Sequence, residues 1–241
     1  MKEQRFFYVP DVQTPTGYLP DEEAQHAIKV LRLKEGDAIV LMDGCGTFHE
    51  ATLSFCAGKR ALYSIQRART QEPEWLGHVH LAIAPTKMME RTEWLAEKAT
   101  EVGFDELTLL DCRFSERRVV KMPRIEKIVV AAMKQSRKAW MPRLNAMTDF
   151  CQFIDSHTTG HRFIAHCYEE VKRQNLFDLL REVPTDAETI VMVGPEGDFS
   201  IDEVRYAQDK GFISVDLGKS RLRTETAGLA AIMMMQLGKR R

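Results

Sequence analysis

The sequence predicts an α/β protein in two parts, a small β-barrel followed by a larger domain whose mostly parallel sheet is covered by helices. Three observations carry this. From His78 onward, apolar β-rich runs alternate with runs of helical period, as βαβ units do. Before residue 70 the runs are short, alternating in polarity and separated by turn residues. Between them, Arg67 to Gly77 is polar and contains Pro73, the composition of a linker. The expected domains are residues 1–70 and 75–241.

In the first part, Asp21 to Leu33 places Ala24, Ala27, Ile28 and Leu31 at helical spacing, with Asp21 available as N-cap. Gly36-Asp37 leads into the run Ala38 to Met42, Asp43-Gly44 follows, and Thr47 to Phe55 alternates again. Asp-Gly between two such runs signals a hairpin. A third strand is expected at Ala61 to Ile65. In the second part, strands are expected at 78–84, 106–111, 162–167, 189–194 and 213–217. The helices are expected at 91–102, 124–138, 175–182, 201–210 and 224–237.

Composition excludes several classes. The 241 residues are 44% hydrophobic and 29% charged with a net charge of −1, an ordinary globular balance. No apolar run is long enough to cross a bilayer. Met1 to Pro10 carries Lys2, Glu3 and Arg5 and no apolar segment, which argues against secretion. The five cysteines (Cys45, Cys56, Cys112, Cys151, Cys167) form no Cys-x-x-Cys pair, which points to free thiols and a cytoplasmic address. His157-x-x-x-His161 with Cys151 and Cys167 lacks the spacing of a metal site. Gly44-x-Gly46 sits in a hairpin, not before a helix, so it is not a nucleotide loop. Met233-Met234-Met235 reads as core or dimer packing.

In open parallel sheets, ligands bind beyond the carboxyl ends of the strands. Two of those loops have unusual sequence. Val193-Gly194-Pro195-Glu196-Gly197-Asp198-Phe199-Ser200 follows an apolar run and precedes a helix whose Ser200 and Glu203 form a capping box. Its glycines and proline set a tight turn that brings bare backbone to the strand end. Leu217-Gly218-Lys219-Ser220-Arg221-Leu222-Arg223-Thr224-Glu225-Thr226-Ala227 also follows a strand. Thr224 as N-cap would explain its helix start, but not three cations and a carboxylate packed at one strand mouth.

Together the two loops resemble the cofactor loops of SPOUT methyltransferases, in which the C-terminal chain forms a trefoil knot, a rare exception to unknotted topology. The resemblance implies that S-adenosyl-L-methionine is held by Gly194, Pro195, Glu196, Gly197, Leu217, Gly218, Leu222 and Arg223. Further segments are similar to the ribosomal RNA small subunit methyltransferase E family. They are Lys87 to Gly103, Ser115-Glu116-Arg117, Lys134-Gln135-Ser136-Arg137 with Pro142, Arg5-Phe6-Phe7, and His26 to Asp37. The last two resemble that family's PUA/OB-like RNA-binding barrel. The chain departs from the family pattern at Asp198, where a second glycine is usual, and at Ser220-Arg221, where Arg-Ile is usual.

A local charge pattern supports an RNA partner. Arg113 to Arg143 holds ten basic residues and two acidic ones, a strip suited to phosphate contacts. The residues expected to bind RNA are Arg5, Arg32, Lys34, Arg117, Arg118, Lys134, Gln135 and Arg137, with Lys239-Arg240-Arg241 extending the surface. The implied reaction methylates N3 of a uridine in 16S ribosomal RNA, reached within the small ribosomal subunit. Methyl transfer to that nitrogen needs positioning, a cation to stabilise the uracil anion and a base for the N3 proton. Arg223 and Arg137 are the candidate cations, Glu225 and Glu196 the candidate bases, and no metal is required. The resemblance also implies a homodimer through the knotted domain, with Ala227 to Leu237 at the interface. Two alternatives remain at this point, a methyltransferase of the same superfamily acting on another RNA and a non-catalytic ribosome-assembly factor with the same fold.

Overall fold

The computed structural model describes residues 4–239; Met1, Lys2, Glu3, Arg240 and Arg241 lie outside it. The chain divides into two compact units, one of 1–73 together with 133–141, the other of 74–132 together with 142–241.

The first unit has strands β1 (Phe6–Tyr8), β2 (Thr16–Tyr18), β3 (Ala38–Met42), β4 (Thr47–Ala57) and β5 (Arg60–Thr70) in one sheet of order β1-β3-β4-β5-β2. β1 pairs parallel to β3, and the other pairings are antiparallel. Phe7, Leu41 and Tyr63 are fully buried in its core. The loop from β3 to β4 runs over 43–46, longer than a two-residue hairpin turn. The Asp43 carboxylate closes it by accepting from the backbone N–H groups of Cys45 and Thr47, at 2.8 and 2.9 Å.

Helix α1 (Asp21–Gln25) continues into a π-helical turn, His26–Val30. Its N-cap is Pro20, and Asp21 is the first helical residue instead of the cap. The expected linker also starts later than its composition suggested. Arg67 to Thr70 are strand, because β4 offers partners as far as Thr47 opposite Thr70. β1 and β2 have three residues each, too few for an alternation to show.

The second unit holds strands β6 (His78–Ile83), β7 (Glu106–Asp111), β8 (Arg143–Asp149), β9 (His161–Ala165), β10 (Gln174–Asn175), β11 (Glu188–Val193) and β12 (Ile213–Asp216). Its helices are α2 (Met89–Val102), α3 (Met122–Ser136, whose last turn belongs to the first unit), α4 (Phe150–Ser156), α5 (Leu176–Leu180), α6 (Ile201–Asp209) and α7 (Thr224–Gly238). The sheet order is β10-β12-β9-β11-β6-β7-β8, with every adjacent pair parallel. Both faces are covered, as parallel sheets require. Val79, Leu81 and Ile83 of β6 pack with Leu95 of α2, Leu180 of α5 and Ile232 of α7. The alternate residue Ala82 packs on the other side with Phe153 of α4 and Val204 of α6.

β8, α4 and β10 were not expected. β8 is a sheet edge with a mixed sequence, Arg-Leu-Asn-Ala-Met-Thr-Asp, which carries no clean period. α4 is short and begins at Asp149, whose carboxylate accepts from Gln152 N. The Ser200–Glu203 capping box is present at α6. At α7 the N-cap is Arg223, in extended backbone, and Thr224 is already helical.

Candidate functional site: a cleft at three strand ends

Strand order decides where the loops meet. β12, β9 and β11 are consecutive in the sheet, so the loops after Asp216, Ala165 and Val193 open side by side at their carboxyl ends. A cleft of about 530 Å³ lies there. All eight residues expected at the cofactor line it, namely Gly194, Pro195, Glu196, Gly197, Leu217, Gly218, Leu222 and Arg223, and Glu225 joins them. Arg91, His166, Cys167, Arg173, Asp198 and Asp216 complete much of the wall. Of these, Asp198 had been noted only as a departure in its loop. The loop after β9 has no glycine or motif to mark it, and Arg91 comes from α2, more than a hundred residues away in sequence.

Each loop has a physical reason for its shape. A Cβ on Gly194 would stand 2.9 Å from the backbone nitrogen of Phe199, so the turn closes only over a residue without a side chain. Asp198 N donates to Pro195 O at 2.9 Å across that turn. Asp198 itself has φ +67, left-handed backbone that aspartate tolerates better than most residues. Its carboxylate accepts from Cys167 N at 2.7 Å and Phe199 N at 2.8 Å. Asp198 thus ties the β11 loop to the β9 loop. In the second loop Gly218 has φ +114, and a Cβ there would meet nothing within 4 Å. Its N–H donates to Asp216 Oδ1 at 2.9 Å.

The charges around the cleft are unequally committed. Glu196 Oε1 accepts from Lys87 N at 2.9 Å. Asp198 and Asp216 are engaged as described. Glu225 is 9% exposed and paired with Arg91 at 3.1 Å. Arg173 donates to His166 O at 2.7 Å. The side chains of Arg221 and Arg223 have no partner among the described residues, while Glu196, Asp198 and Asp216 are held by neutral donors, so their charges and those of the two arginines face the same cleft. His166 is buried, and burial lowers its pKa from the ordinary value. Its Nδ1 accepts from Tyr168 N at 3.3 Å.

The basic strip is folded into ion pairs, most of them with acids distant in sequence. Arg118 pairs with Asp111, Arg113 with Asp202, and Arg124 with Glu93. Lys134 reaches Glu23 at 2.6 Å. Arg117 donates to the backbone carbonyls of Thr86 and Lys87, at 3.2 and 2.6 Å, and so braces the β6–α2 loop. Gln135 and Arg137 are exposed in the first unit. Arg137 does not line the cleft; it has φ +58 and its guanidinium stands over the Phe6 ring at 5.5 Å. Arg5, Arg32 and Lys34 are exposed.

Comparison with known proteins gives these loops a family. An RNA methyltransferase domain matches residues 72–236 and an RNA methyltransferase PUA domain matches residues 19–65. Ribosomal RNA small subunit methyltransferase E of Synechocystis is 30% identical over 209 residues, covering 85% of this chain and 67% of that protein. The protein of that name from Bacillus subtilis is 25% identical over 233 residues, covering 91% and 89%. Among solved structures, a chain described as a probable rRNA-methyltransferase of Porphyromonas gingivalis superposes with TM-score 0.86 at 38% identity, covering 98% of both chains. Ribosomal RNA small subunit methyltransferase E of Neisseria gonorrhoeae, bound to S-adenosyl methionine, superposes with TM-score 0.86 at 28% identity and the same coverage. The chain therefore belongs to the PUA-containing RNA methyltransferase family of ribosomal RNA small subunit methyltransferase E.

Proposed function

We propose that the chain transfers the methyl group of S-adenosylmethionine to N3 of a specific uridine in small-subunit 16S ribosomal RNA. The observation that carries this reading is the cleft itself. Its walls are backbone from two glycine-bearing loops, and it brings Arg223, which has no partner among the described residues, to the same cleft as Glu196 and Glu225. The family relationship supplies the donor, and the cleft suits it. The volume admits a nucleoside with an amino-acid arm, the open space at Gly218 leaves the backbone accessible, and both loops present main-chain groups for recognition.

Bound there, the donor supplies an electrophilic methyl group. The chain must do the rest. The loops of Gly194 to Gly197 and Leu217 to Leu222 hold the donor and exclude water. Uracil N3 becomes nucleophilic as its proton leaves, and Arg223 stabilises the developing anion. Glu225, held by Arg91, is the leading acceptor for that proton, with Glu196 as the second candidate. Arg5, Arg32, Lys34, Gln135 and Arg137 supply the RNA-gripping surface of the first unit, and the target base must leave its stack to enter a cleft. The same reading includes a trefoil knot, a homodimer through α7 and a cytoplasmic setting. α7 exposes Met233 and Leu237 at 44% and 43%, which supports a covered face there. Among the described residues no helix is long and apolar enough to cross a membrane.

Calorimetry should show one S-adenosylmethionine or S-adenosylhomocysteine per chain. Nucleoside mass spectrometry of 16S ribosomal RNA treated with the protein should show 3-methyluridine. Absence of cofactor binding would favour an assembly factor, and methylation at another atom or in another RNA would replace the substrate assignment.

A further inference from the structure

A second polar centre lies at the opposite ends of the strands from the cleft. His78 and His80 are two apart on β6, so both rings project from one face of the sheet, and Glu106 of β7 sits in register with His80. One nitrogen of each ring and one Glu106 carboxylate oxygen lie within 4.8 Å of one another. His78 Nε2 is 3.1 Å from Glu106 Oε2. His80 is fully buried; Thr108 Oγ1 engages its Nε2 at 2.8 Å, while its Nδ1 is buried with no partner among the described residues. A buried imidazole with a spare nitrogen, beside a second imidazole and a carboxylate, is costly unless something else completes it.

We propose that His78, His80 and Glu106 form a zinc-type divalent metal site that staples β6 to β7. Two imidazoles and one carboxylate with an open fourth position are a ligand set that suits Zn²⁺. The surrounding residues act as an outer shell of the kind that orients ligands. Asn145 of β8 donates to Glu106 Oε1 and, at 2.8 Å, to Thr108 Oγ1. Ligation of His80 through Nδ1 leaves its Nε2–H to donate to Thr108. Tetrahedral ligands bound at about 2.0–2.2 Å stand roughly 3.4 Å apart, so the ligands must draw together. The His78 side chain, 37% exposed, has the freedom to do so and leaves a path for entry. Arg143, 3.8 Å from Glu106 Oε1 and 75% exposed at its side chain, can swing into solvent as the ion enters.

The test starts with the whole chain, freed of metal by a chelator and then dialysed against Zn²⁺. One zinc per chain is expected by elemental analysis, with a rise in Tm. Co²⁺ in its place should give ligand-field bands without sulfur charge transfer. Asn145→Ala should weaken binding by roughly 10- to 100-fold through the outer shell. His78→Ala should abolish it, and because the variant also loses the contact with Glu106, persistent S-adenosylhomocysteine binding is the check on folding. No stoichiometric zinc, zinc binding unchanged in His78→Ala, or a sulfur charge-transfer band from the exposed cysteines would each overturn the site.

Discussion

Asp198 offers a prediction in which backbone and side-chain effects oppose each other. Its left-handed backbone and its two hydrogen bonds, to Cys167 N and Phe199 N, are separate features of one residue. Hydrogen bonds to a charged group are worth about 1.5–3 kcal/mol each, and the lower end applies to a half-buried carboxylate. Asp198→Ala therefore loses about 3 kcal/mol from the two bonds. It also holds a methyl side chain in left-handed backbone, for which an ordinary residue is penalised by roughly 1–2 kcal/mol. Asp198→Gly loses the same bonds but carries no such penalty, so it should be the more stable variant by about 1 kcal/mol. Calorimetric unfolding gives the order of stability, and titration with S-adenosylhomocysteine reads the loop directly. The native chain should lead, glycine should follow and alanine should come last on both scales. Alanine matching or exceeding glycine would refute a positive φ at this position, and an unchanged affinity in both would refute the link between the β9 and β11 loops. A glycine at this position solves the same backbone problem without the side-chain tie.

Other outcomes follow from the same structure. Arg223→Ala should cut single-turnover methylation by about 10²–10³ while leaving cofactor affinity nearly unchanged; an equal fall in affinity would make it a donor-binding residue instead. Arg117→Ala should lower Tm, because three donor contacts to Thr86 and Lys87 are lost. Arg118→Ala, exposed and paired only at the surface, should leave Tm alone and reduce the salt dependence of RNA binding by roughly 0.7–0.9 in log–log slope if it meets a phosphate; no change in slope removes it from the RNA surface. The pKa of His166 is lowered in the fold, chiefly by burial, so below its ordinary value of 6.5 the unfolded chain takes up a proton that the native state resists. Stability should fall as pH drops from that value toward the lower folded one, and His166→Gln should flatten this part of the pH–stability curve.

Much of this molecule was legible before folding. The alternation from His78 onward, the Ser200–Glu203 capping box and the two glycine-bearing loops are features of a few neighbouring residues, and local backbone preference and side-chain period are enough to express them. Even there the limits are visible, since Asp21 and Thr224 look like caps but the chain turns helical one residue earlier. The rest depended on neighbours that local preference does not encode. The order β12-β9-β11 brought the unmarked residues His166 and Cys167 to the same cleft as Gly194 and Gly218. The strip from Arg113 to Arg143 reads as bare positive charge along the chain, yet Asp202, Glu93 and Glu23 meet it in space. His78 and His80 gained their carboxylate only because β7 lies beside β6 in register. Turns and caps are decided within one or two turns of backbone, whereas a site is decided by which distant strand lies alongside, and that choice is made by burying both faces of the sheet at once.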